Sequence, residues 1–141
     1  MKLQISIPNI TSKVLIPVFS TSVSAGFPSP ADDFIDRKLD LNEYLIKHPA
    51  ASYFVKVNGE SMKDVGINTG DLLLVDRSLD VKNGSIVIAA IDGEFTVKRV
   101  IKKDDGLYLV PENESYLPIK IDEEDEFQIF GVVKNVIKAL I

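Results

Sequence analysis

The chain has 141 residues, a length that suits one domain, and 45% of them are apolar, enough for a packed core. Its formal charge is −5, cysteine is absent and His48 is the one histidine, which excludes disulfides, thiolate nucleophiles, Cys-ligated zinc and His-rich metal sites. An acidic chain is poorly suited to holding DNA phosphates, because that affinity comes from clustered Lys and Arg; direct sequence-specific DNA binding is not expected, and any role at DNA would run through a protein partner.

Residues 1–30 differ from the rest. They hold four of the seven prolines (Pro8, Pro17, Pro28 and Pro30) and the small polar run Ser20-Thr21-Ser22-Val23-Ser24-Ala25-Gly26. They read as an extended N-terminal arm ahead of a β-rich domain over 31–141. The prolines interrupt any helical run, so a helix-turn-helix module does not fit there. Met1 to Val18 also lacks the unbroken apolar segment of a signal peptide, and no apolar run approaches the roughly 20 residues that span a bilayer. A cytoplasmic location without membrane attachment is expected.

One segment reads as a helix: Asp40 caps it, Glu43 completes a capping box, Leu41, Tyr44, Leu45 and His48 follow helical spacing, and Pro49 stops it. Strands follow. Tyr53 to Val57 alternates, Leu72 to Val75 and Ile86 to Ile91 are short apolar runs, and Asp92-Gly93 gives a two-residue turn into Glu94 to Ile101. Leu107 to Val110 is another strand, and Phe127 to Ile137 closes the chain with Gly131 as a bulge or close-approach site. The acidic run Asp122 to Glu126 reads as a solvated loop. Many short strands joined by turns imply a mainly β domain, a sandwich or a twisted, barrel-like sheet.

Three elements bear on chemistry. Ser61, in Gly59-Glu60-Ser61-Met62, follows a strand directly, where a hydroxyl can be held rigid and its own backbone N–H can face a tetrahedral oxyanion. A serine needs a base. His48 sits at the expected helix end, where capping or a surface role suits it. Lys98 lies inside Phe95-Thr96-Val97-Lys98-Arg99-Val100-Ile101; burial would lower its pKa and make it a base, whereas an amphipathic strand would point it to water. Periodicity leaves that choice open. Ala25–Gly26 lies in the small-residue stretch, where an accessible backbone admits a nucleophile.

Several separated motifs agree in register with one known family. Phe27-Pro28-Ser29-Pro30-Ala31, Asp40-Leu41-Asn42, Tyr53-Phe54-Val55-Lys56, Gly59-Glu60-Ser61-Met62, Gly70 to Asp76, Asp92 to Lys98 and Phe130-Gly131-Val132-Val133 resemble the LexA/UmuD-type self-cleaving serine peptidases, from about residue 24 to the C-terminus. The resemblance implies a LexA C-terminal-like twisted β sheet or partial barrel with one short helix and an extended arm. It implies Ser61 as nucleophile, Lys98 as general base, Ala25–Gly26 as the bond cut, and no cofactor or metal. Alanine before the glycine resembles LexA-type sites, where UmuD-type sites carry cysteine. It further implies a RecA filament on single-stranded DNA as co-protease in the SOS response. The trimmed form would be a homodimer joining a UmuC-type polymerase for error-prone translesion synthesis. A LexA-like repressor would use the same dyad but need a DNA-reading module ahead of the cut; a membrane-bound signal-peptidase relative would need an anchor; a non-catalytic binding module would leave Ser61 and Lys98 structural.

Overall fold

The computed structural model describes residues 2–8, 11–19 and 35–141. The described strands are β1 (Lys2–Ser6), β2 (Leu15–Phe19), β3 (Ile35–Asp40), β4 (Ser52–Asn58), β5 (Leu72–Asp76), β6 (Ile86–Ile91), β7 (Glu94–Lys103), β8 (Gly106–Val110), β9 (Ile119–Lys120) and β10 (Phe127–Ile137), with helix α1 (Leu41–Leu45) between β3 and β4. The fold is mainly β, as expected from the sequence. The chain divides into two units, Asn9–Pro49 and Met1–Pro8 with Ala50–Ile141.

In the smaller unit, β2 and β3 form a two-stranded antiparallel sheet with Pro17 opposite Lys38. A proline is tolerated in such a sheet because each strand has a free side that needs no donor. Asp40 caps α1, its Oδ1 accepting from the Asn42 N–H at 3.3 Å. The helix stops at Leu45, earlier than the spacing to His48 implies, because Ile46 turns extended (φ −99°, ψ 99°) and its side chain is buried. Pro49 restricts the residue before it to extended conformations and opens a 3-10 turn, Pro49–Ala51.

The larger unit is an eight-stranded sheet in the order β1-β4-β5-β10-β6-β7-β8-β9. Its β4–β5, β5–β10, β10–β6, β6–β7 and β7–β8 pairs are all antiparallel. The sheet curls until β1 also approaches β7, which gives the partial barrel. Period-two alternation sorts the core onto two faces. Val55, Val57, Leu73, Val75, Ile88 and Val97 pack with Met62 and Ile67 on one; Val87, Ala89, Val100 and Leu109 pack on the other. Each Val, Leu, Ile or Met among them contributes about 1.5–3 kcal/mol when fully buried. Asp92 and Gly93, both at positive φ, make the tight turn joining β6 to β7 and so set the Val87–Lys98 register. The acidic run folds as a turn, with Asp122 N–H donating to Asp125 Oδ2 at 2.7 Å. No helix among the described residues is long and apolar enough to cross a membrane.

Gly131 does both things its position in a strand suggests. The β10–β6 register shifts between Ile129 and Gly131, a bulge. At φ +150°, a Cβ there would stand 2.6 Å from Val75 Cγ1 and 3.3 Å from the Asp76 carbonyl oxygen. Gly131→Ala is therefore expected to destabilise the domain by about 2–4 kcal/mol through overpacking and backbone strain together. A urea midpoint that falls while the m-value holds would show it; an unchanged midpoint would mean that the β5–β10 contact relaxes freely.

Candidate active site

β4 delivers the chain to Gly59, which sits at φ +142°, and the backbone turns there toward Ser61. The next residue anchors the turn: Met62 is fully buried in the core, so Ser61, 3% exposed, cannot drift. Behind it a short 3-10 helix, Lys63–Val65, closes on Gly66 at φ +81°. Thr69 receives the Gly59 N–H at 2.9 Å and lies 2.9 Å from Glu60 Oε1. Its hydrogen bond, with one from Asn68, holds the Glu60 carboxyl below its ordinary range.

The other side of the turn is stitched to the segment after β8. Glu112 N–H donates to the Ser61 carbonyl at 2.8 Å and Asp64 N–H donates to the Glu112 carbonyl at 2.8 Å. Asn113 Nδ2 donates to the Glu60 carbonyl at 2.7 Å. The Glu112 side chain accepts from Arg99 Nε at 2.6 Å, and Arg99 Nη1 donates to the Gly84 carbonyl at 2.6 Å. One residue, Glu112, thus ties the Ser61 turn to β7 through backbone and side chain at once. Farther out, Lys138 Nζ donates to Asp71 Oδ2 at 2.6 Å, which also accepts from the Asn68 N–H at 2.8 Å. Burial raises the Asp71 carboxyl, but these bonds outweigh it and hold it below its ordinary value.

β7 brings Lys98 to the serine. Its Nζ lies 3.0 Å from Ser61 Oγ, 2.5 Å from Thr96 Oγ1 and 3.1 Å from the Val97 carbonyl. Thr96 and Lys98 are two apart on a strand and so share a face. Lys98 is 7% exposed, and burial pushes its ammonium from the ordinary 10.5 down to about 8. A neutral amine has two N–H donors and one lone pair. The Val97 carbonyl and Thr96 hydroxyl can take the donors, leaving the lone pair to accept from the Ser61 hydroxyl. The arrangement can therefore remove a proton from Ser61 near neutral pH.

Ser61 and Lys98 are thus brought together. His48 is exposed and belongs to the smaller unit. Ala25 and Gly26 lie outside the described residues. No group of three or more His, Cys, Asp or Glu that could hold a metal occurs among the described residues. Sequence reasoning did not single out Thr96, Glu112 or Asn113; the i, i+2 spacing of Thr96 from Lys98 was the one available signal.

Residues 17–134 match the family described as Peptidase S24-like. The chain belongs to that family. It is similar to protein SamA of Salmonella typhimurium, 48% identical over 117 residues that cover 83% of this chain and 81% of SamA. It is similar to protein MucA of Escherichia coli, 46% identical over 121 residues covering 85% and 82% of the two chains. It is 42% identical over 118 residues to the LexA repressor of Colwellia psychrerythraea, covering 83% of this chain and 56% of that one. A UmuD-type member of the Peptidase S24-like family is what the motifs and these relatives agree on, and at the level of that family it is a serine peptidase.

A buried, depressed lysine has a measurable cost. Unfolded, Lys98 stays charged to about 10.5; folded, it releases its proton near 8. Between those values the unfolded chain binds more protons, so stability rises with pH across that window, and the full cost is carried below it. Lys98→Met is therefore expected to be more stable than the parent at pH 7, by about 1–3 kcal/mol. That advantage should shrink between pH 8 and 10.5. Urea unfolding of both proteins at pH 7 and pH 10 checks it; a constant difference would mean that Lys98 does not titrate within the fold.

Proposed function

We propose that this chain is a peptidase that cuts its own Ala25–Gly26 bond, with Ser61 as nucleophile and Lys98 as general base. The observation that carries the reading is the 3.0 Å contact between Lys98 Nζ and Ser61 Oγ in a buried setting. Neutral Lys98 takes the hydroxyl proton as Ser61 Oγ attacks the Ala25 carbonyl carbon. The Ser61 N–H stabilises the oxyanion. The C–N bond then breaks, and Lys98 passes its proton to the leaving Gly26 amine. A water, deprotonated by the same amine, hydrolyses the Ala25 ester and regenerates Ser61. Thr96 acts as a positioning residue that holds the lysine in its rotamer.

The family setting extends the reading. A RecA filament on single-stranded DNA stimulates the cut in the SOS response, in the cytoplasm. The trimmed protein, Gly26 onward, forms a homodimer and joins a UmuC-type polymerase as accessory subunit of an error-prone translesion enzyme. The resemblance to UmuD-type proteins, and the likeness to MucA and SamA, support this part.

Incubation with RecA, single-stranded DNA and a nucleotide should yield a product whose intact mass begins at Gly26, and Ser61→Ala should yield none. A cut elsewhere, or an active Ser61→Ala protein, would overturn the assignment. Without RecA, the rate should rise about tenfold per pH unit below neutrality and flatten above about 8, as the neutral fraction of Lys98 saturates. Lys98→Arg should be inactive throughout, since guanidinium stays charged. A plateau just above neutral that vanishes in His48→Ala would point to histidine instead.

A further inference from the structure

We propose that the slot between β4 and β7 is a binding groove for an extended peptide and that β1 is its removable occupant in the uncut chain. This rests on the self-cleavage reading above. β4 has β5 on one side, paired from Ser52–Asp76 to Lys56–Leu72. Its other side is taken by β1, antiparallel, with Lys2 opposite Asn58, Gln4 opposite Lys56 and Ser6 opposite Phe54. β1 also approaches β7, the strand that carries Thr96 and Lys98. Asn58 stands three residues before Ser61, so the slot runs up to the dyad, and β1 fills it along β4.

The described side chains of β1 pack little against the sheet. The side chains of Gln4, Ile5 and Ser6 are all exposed. Ile5 is 57% exposed although Val55, directly opposite, is fully buried. Over Gln4, Ile5 and Ser6 the backbone ladder does more than side-chain packing to keep β1 in place. Without it, β4 would present a row of unpaired N–H and C=O groups, the template that an extended peptide uses to add itself to a sheet. In this proposal a scissile segment that reaches Ser61 in extended form uses that same edge. β1 and the scissile segment therefore compete, and an uncut chain rests with the wrong strand in the groove. The ligand class follows from β1 itself: a short extended segment with alternating polar and apolar residues, as in Lys2-Leu3-Gln4-Ile5-Ser6, and no proline at a ladder position.

The test deletes residues 2–8 from the otherwise full chain and follows unassisted cutting at alkaline pH. The deletion should speed cutting about tenfold if β1 is the favoured occupant. A synthetic peptide of residues 1–8 should slow it again, and the same peptide with proline at positions 4 and 5 should not. Ile5→Pro with Gln4→Pro in the intact chain gives the same comparison if the deletion does not fold. A rate equal to or below that of the parent would overturn the proposal while leaving self-cleavage standing. Binding separates the two ideas further. The Ser61→Ala deletion protein should bind the 1–8 peptide, and the Ser61→Ala full chain should not, whether or not the parent cuts itself. No binding to the deletion protein would also overturn it.

Discussion

Placing a lysine amine in a water-poor site against a serine hydroxyl is the constraint around which this molecule is organised. In bulk water the amine would hold its proton and be useless as a base at neutral pH. Burial removes that solvation, and the three neighbours of Nζ match what a neutral amine offers, two donors and a lone pair. The match depends on register. Lys98 pairs with Val87 because Asp92 and Gly93 close the β6–β7 hairpin in two residues; a one-residue slip would turn Lys98 to the other face.

Register sets the lysine, but something must hold the serine at the same spot. Ser61 has only a short turn of its own, and a turn alone would wander. Buried Met62 fixes it from the core side, and Glu112 and Asn113 fix its backbone from the far side. Glu112 is the more telling of the two. Its backbone bonds the Ser61 turn and its carboxylate bonds Arg99, the residue after Lys98. Movement of β7 relative to the turn would have to break either the charge-assisted Arg99–Glu112 bond or the backbone bonds that hold Glu112 to the turn. The separation of Ser61 from Lys98 is thus set by the scaffold itself.

Much of this was legible in the sequence, and the gaps have physical reasons. The strands from Tyr53 onward announce themselves by apolar runs and by Asp92-Gly93, and Gly131 was readable as a bulge or a close approach. β1, β2 and β3 were not: β1 is a short piece of the proline-bearing N-terminal stretch, Pro17 argues against β2 unless one knows that it lies in a two-stranded sheet, and β3 is mostly charged, with four of its six residues Asp, Arg or Lys. The cap at Asp40 was visible, but the end of α1 depends on Ile46 turning inward, which no local signal records. Lys98 was legible as a candidate and not as a buried one: Phe95, Val97, Val100 and Ile101 break the alternation that would name its face. Glu112 and Asn113 are ordinary loop residues whose partners lie about fifty positions earlier, and proximity of that kind is written only in the folded sheet.

A pair already assembled raises the question of what restrains it. Ser61 and Lys98 are hydrogen-bonded and buried, with the amine partly neutral near pH 8, so under the proposed self-cleavage little catalytic assembly is left to regulate. Under that proposal, control falls on delivery of the peptide. An enzyme with an open groove would cut any extended segment that fitted; one whose groove is filled by its own strand cuts only when that strand yields. A partner that favours the productive arrangement need not touch Ser61 or Lys98 at all. It has only to bind the form in which the scissile segment has replaced β1 more tightly than the resting form, and the rate rises by the ratio of those affinities until that form predominates. In the proposed scheme the rigid site and the paired strand belong together: the first makes the chemistry ready, and the second keeps it waiting.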